Sequence, residues 1–156
     1  MELFLVRHGQ AATKTQDPAR PLTDVGAELA KQMATIAARS GVAVDEIRHS
    51  GKLRAQQTAE IFGEALEPAH GVNAVSGLDP EGDVEAMAAI IREEEDRLML
   101  VGHLPFLGRL VGLLVAGNAD VPVVRFAPAT VVRLVFERGS WSVDWAMKPD
   151  VASQIA

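Results

Sequence analysis

Leu3-Phe4-Leu5-Val6-Arg7-His8-Gly9-Gln10 is the stretch whose reading decides the fold. Its unbroken apolar run reads as a strand buried on both faces of a sheet. The run stops at a cation, an imidazole and a glycine. In an open α/β sheet, ligands bind in the crevice beyond the carboxyl ends of the strands, so this strand delivers Arg7 and His8 to that crevice. Gly9 has no Cβ, which lets backbone come close to a ligand or turn sharply. A guanidinium fork beside a nucleophilic or acid–base imidazole suits an anion. On these residues alone, an ordinary strand with a polar end explains the pattern equally well.

Outward from that strand, Ala11 to Pro21 is polar and broken by Asp17-Pro18 and Arg20-Pro21, a loop. Thr23 suits a helix N-cap, with Asp24 in the first turn and Val25, Leu29, Met33 and Ile36 at helical spacing up to Ser40-Gly41. A short strand follows over Glu46 to His49. Ser50 is then positioned to cap a helix with the apolar face Ala55, Ala59, Phe62 and Leu66. Arg54 falls in the first turn of that helix, where the dipole disfavours a cation unless an anion is bound beside it. A solvated surface arginine is the alternative.

Val72 to Val75 is a short strand, and Asp83 caps a helix running through Glu95 with Val84, Met87, Ile90 and Ile91 buried. Leu98 to His103 repeats the opening pattern: an apolar run, a glycine and a histidine. Pro105 suits the first turn of the next, largely apolar helix, which reaches about Ala116. A loop over Gly117 to Ala129 leads to two alternating strands, Thr130 to Phe136 and Trp141 to Met147, joined near Arg138-Gly139. Trp141, Val143, Trp145 and Met147 fall on one face, and the last residues fray. The alternation of strands and helices predicts an α/β fold. It is a single three-layer α-β-α domain over 1–156, with a six-stranded mixed, mostly parallel sheet.

Composition narrows the function. The 156 residues suit one domain, which needs no partner to fold, so a monomer is expected. With no cysteine, disulfides, thiolate catalysis and cysteine-ligated metal centres are excluded. A net charge of −6 disfavours nucleic acid and anionic membrane as partners. No apolar stretch reaches the roughly 20 residues that span a bilayer. Met1-Glu2 lacks the basic start of a secretory signal, so a cytoplasmic location is expected.

Arg7, His8, Arg54 and His103 thus lie at strand ends or a helix N-terminus and describe a pocket for a phosphoryl dianion. Two flanking arginines would repel a cation, which argues against a metal held by His8 and His103. His49, at a strand end, suits a structural role, and His70, in a turn, a solvated one.

With these residues in view, the sequence resembles the histidine phosphatase superfamily, also called phosphoglycerate-mutase-like. Leu5-Val6-Arg7-His8-Gly9 resembles its signature, Pro21-Leu22-Thr23-Asp24-Val25-Gly26 its "LTxxG" segment, Ser50 to Thr58 its "SPxxRxxQT" segment, and Gly102-His103 its second catalytic histidine. Arg20-Pro21-Leu22-Thr23, Leu53 to Thr58 and His103-Leu104-Pro105 are most similar to SixA-type phosphohistidine phosphatases. Gly51 departs from the usual proline.

The resemblance implies a metal-independent phosphohistidine phosphatase without cofactors, acting on a phosphohistidine-bearing protein through a covalent phosphohistidine on the enzyme. It implies His8 as nucleophile and Arg7, Arg54 and His103 as catalytic phosphate ligands, with Gly9 and Arg20 also binding phosphate. The chain lacks the long insert that carries the general acid in larger members. Asp79 and Glu81 are the loop candidates for that acid. A missing acid favours a substrate whose leaving group is imidazole over one that leaves as alkoxide. The alternatives are a small-molecule phosphomonoester phosphatase and a phosphate-recognising binding module with little turnover.

Overall fold

A computed structural model describes residues 1–155. Strand β1 (Glu2–Arg7) lies inside a six-stranded sheet of order β3-β2-β4-β1-β5-β6. Here β2 is Glu46–His49, β3 Val72–Ala74, β4 Leu98–Gly102, β5 Val131–Glu137 and β6 Ser140–Met147. β3, β2, β4 and β1 run parallel, while β5 and β6 form an antiparallel hairpin against β1. This is the mixed, mostly parallel sheet expected.

Successive side chains of a strand point to opposite faces, so an apolar run must feed two cores. Leu3 and Leu5 join Leu98, Leu100, Val132 and Leu134 beneath α3 (Val84–Arg92) and α4 (Phe106–Ala116). Phe4 and Val6 join Met99, Val101 and Val131 beneath α1 (Asp24–Arg39) and α2 (Leu53–Leu66). Residues 3 to 6 are buried to within 1%, which stabilises the fold by about 1.5–3 kcal/mol for each large side chain. The layers are helix, sheet, helix.

Several boundaries depart from the sequence reading. In α1 the buried face is Gly26, Ala30, Met33, Ala34 and Ala37, while Val25 is 62% exposed. Small residues turn inward because the helix lies against the loop after β1: a Cβ on Gly26 would sit 2.1 Å from the Gln10 carbonyl oxygen. Trp141, Val143, Trp145 and Met147 do not share one face. A register shift between Arg133 and Leu134 pairs Leu134 with Val143 but Arg133 with Trp145. The extra residue reverses the alternation. Trp141 and Val143 pack on the α3–α4 core, and Trp145 and Met147 on the α1–α2 core. The chain does not fray after β6 but forms α5 (Pro149–Ile155), with Ala152 buried in the α1–α2 core.

Candidate active site

β1 ends at Arg7, and His8 just beyond it donates its backbone N–H to the Gly102 carbonyl of β4 at 3.0 Å. Because Arg7 and Gly102 are in register, His103 leaves the neighbouring parallel strand at the same level. The imidazole centroids of His8 and His103 are 5.0 Å apart, close to the spacing of adjacent strands. Arg54 enters from the first turn of α2. That turn has no acidic residue to offset the cation, and no side-chain cap.

His8 is 8% exposed, and its Nδ1 lies 2.7 Å from the Gly9 carbonyl oxygen. A carbonyl only accepts, so Nδ1 carries the proton and Nε2 presents a lone pair. Burial pushes the His8 pKa down to about 4; the Gly9 bond opposes this, and Arg54, Arg7 and Arg20 add to it. The ring is therefore neutral at pH 7. His103 is 2% exposed and pushed down to about 3 by burial first, then by His8, Arg54, Lys52 and Arg20.

Arg7 Nη1 donates to the Phe126 carbonyl at 2.8 Å. Arg7 Nε, Arg54 Nε and His103 Nδ1 are buried with no hydrogen-bond partner among the described residues. Each such group costs about 1–3 kcal/mol, and all three belong to residues around His8. Two buried guanidinium nitrogens without partners beside a histidine pair are an arrangement that an anion can satisfy. Burial also lowers the pKa of both arginines, so the cations lack counter-charge in their own surroundings.

Arg20 lines a cleft of about 470 Å³ with Lys14, Lys52, Arg54, Asp79 and Glu81. It is held there by its Nε bond to the Ala12 carbonyl at 3.0 Å. Of the candidate catalytic residues only Arg54 lines this cleft, which it shares with Arg20 and both candidate acids.

The Gly9 N–H donates to Thr58 Oγ1 at 3.0 Å, and Thr58 in turn donates to the Arg54 carbonyl at 2.8 Å. Gly9 is small for a packing reason: a Cβ there would lie 3.1 Å from the Gly26 carbonyl oxygen. Thr58 was overlooked as a site residue. Its signal was a hydroxyl among the alanines and phenylalanine of the buried face of α2. Ser50 does not cap α2, whose N-cap is Lys52. Its Oγ lies 2.6 Å from His103 Nε2. His49 Nδ1 accepts from the Gly51 N–H at 3.1 Å, a structural role, and the exposed His70 pairs with Asp96. No group of three or more His, Cys, Asp or Glu suited to a metal ion occurs among the described residues, and none of the described helices is long and apolar enough to cross a membrane.

A mixed sheet whose strand ends bring His8 and His103 together, with Arg7 and Arg54 near His8, has the arrangement that the sequence resemblance implies. Residues 3–79 match the family model of the histidine phosphatase superfamily (branch 1). The chain belongs to that superfamily. It is 31% identical over 154 residues to the phosphohistidine phosphatase SixA of Escherichia coli (strain K12), covering 96% of this chain and 94% of that protein. The structure of the protein histidine phosphatase SixA complexed with tungstate superposes with a TM-score of 0.85 at 29% identity, covering 97% of this chain and 99% of that one. An α-ribazole-5'-P phosphatase fold from Escherichia coli K-12 also matches, with a TM-score of 0.78 at 19% identity over 96% and 98% of the two chains. At that identity it speaks for the fold alone.

Proposed function

We propose that the chain is a phosphohistidine phosphatase that works through a phosphohistidine on His8. The observation that carries this reading is the neutral, oriented His8 beside buried nitrogens of Arg7, Arg54 and His103 that have no hydrogen-bond partner among the described residues. Its Nε2 lone pair attacks phosphorus in line. The new N–P bond forms as the bond to the substrate imidazole breaks, and that imidazole leaves neutral when its other nitrogen is already protonated. Water then attacks the enzyme phosphohistidine, releasing inorganic phosphate and restoring His8. Arg7 and Arg54 stabilise the charge that spreads over the equatorial oxygens, a contribution of order 10²–10³ in rate for one such donor. Arg20 and His103 add to that field. Gly9 keeps the loop close to α1, beside the bound phosphate. Likeness to a phosphohistidine phosphatase over almost the whole chain supports a phosphohistidine-bearing protein as substrate.

One observation favours a second reading, a phosphatase for small phosphomonoesters. Asp79 and Glu81 line the cleft with Arg20 and Arg54, and a carboxyl there can protonate an alkoxide leaving group. The deciding experiment compares metal-free hydrolysis of a phosphohistidine-bearing protein and an aryl phosphate by the native chain and His8→Ala. Phosphohistidine turnover that disappears with His8, beside slow ester hydrolysis, is expected. Faster ester hydrolysis, lost in Asp79→Asn or Glu81→Gln, would establish the second reading. Binding of the phosphorylated protein without turnover would make the chain a recognition module.

A further inference from the structure

Beyond the residues that touch phosphate, the structure assigns Ser50 a positioning role: its hydroxyl fixes the tautomer of His103 so that Nδ1–H, not a bare nitrogen, faces the bound oxyanion. This rests on the phosphate-site reading above. Ser50 Oγ accepts the Lys52 backbone N–H at 3.3 Å. Its own proton is therefore available to the other neighbour, His103 Nε2 at 2.6 Å. An imidazole that accepts at Nε2 while neutral carries its proton on Nδ1. Nδ1 is the buried atom left without a partner among the described residues, on a ring beside His8. With the opposite tautomer, a lone pair would meet the phosphate oxygens and repel them.

The turn that holds Ser50 is built for this. Gly51 has a φ of 88°, a region proline cannot enter, and its N–H is bonded to His49 Nδ1 at 3.1 Å. Ser50 is thus fixed from both sides, by a closed turn and by the first residue before α2.

Nitrogen-15 NMR of the free protein at neutral pH reads the tautomer directly, with His103→Gln identifying the resonance. The native chain is expected to hold the Nδ1–H form, Ser50→Ala to move to Nε2–H, and Ser50→Thr, which keeps the hydroxyl, to restore Nδ1–H. Tungstate affinity is expected to fall about tenfold in Ser50→Ala, the scale of one hydrogen bond to a charged group, and to recover in Ser50→Thr. A native Nε2–H ring, or a tautomer unchanged by Ser50→Ala, would overturn the assignment whether or not the enzyme cleaves phosphohistidine. An active native enzyme with that result would leave the phosphatase reading intact and Ser50 as packing only.

Discussion

At the scale of single residues, the site depends on which atoms already have partners. His8 Nδ1, Gly9 N and His103 Nε2 are engaged, which leaves His8 Nε2 and His103 Nδ1 as the free ring nitrogens of the pair among the described residues. Gly51 illustrates how local chemistry can override a family habit. Gly51→Pro would install the residue usual in this superfamily, yet it requires a φ near −65° where this backbone stands at 88° and removes the N–H bonded to His49. We expect it to destabilise the protein by about 2 kcal/mol or more, seen as a lower urea midpoint. An unchanged midpoint would mean the turn can rebuild around proline.

At the scale of elements, helix α1 approaches the loop after β1 more closely than its sequence suggests. Large apolar residues at helical spacing advertise a buried face, but a helix packed this tightly presents glycine and alanine instead. That is why Val25 points to solvent while Gly26 does not. Gly26→Ala tests the contact. Alanine favours a helix by up to about 1 kcal/mol, but its methyl would meet the Gln10 carbonyl at 2.1 Å. The clash should win, with a net loss of about 1–3 kcal/mol and weaker activity, because the loop carrying Gly9 must shift. A stabilised variant would show that the loop yields.

The same scale explains which features were legible. β1, β4 and their terminal histidines could be read because burial on both faces leaves an uninterrupted apolar run. Arg54 could be read because a cation at a helix start conflicts with the dipole. The bonds from Ser50 to His103 and from Gly9 to Thr58 could not, since they join residues far apart in sequence. The face switch between Val143 and Trp145 also escaped, because one extra residue changes the phase of an alternation that looks continuous.

At the scale of the whole molecule, the two histidines couple the site to stability. His8 titrates at about 4 when folded against 6.5 in the unfolded chain, and His103 at about 3. Above about pH 6.5 both states are neutral and the folded form keeps its full stability. As pH falls below 6.5 the unfolded chain takes up protons that the folded chain refuses, so stability declines until the folded pKa values are reached. The urea midpoint should therefore drop between pH 6.5 and about 3, and His8→Asn should shallow that decline. A midpoint that stays level through this window for the native chain would show that the buried rings charge as freely as exposed ones. The basic cleft also sits within a chain of net charge −6, so attraction for an anion is local to the pocket.

Strand order carries one more consequence, for how the protein comes to exist. β1 is made before the other strands, yet both its neighbours, β4 and β5, begin at Leu98 or later. A chain emerging from the ribosome therefore carries four consecutive buried apolar residues with two open hydrogen-bonding edges until β4 and β5 have been made. They can pair only after long loops close, so the interval before β4 emerges is the one of greatest exposure to aggregation.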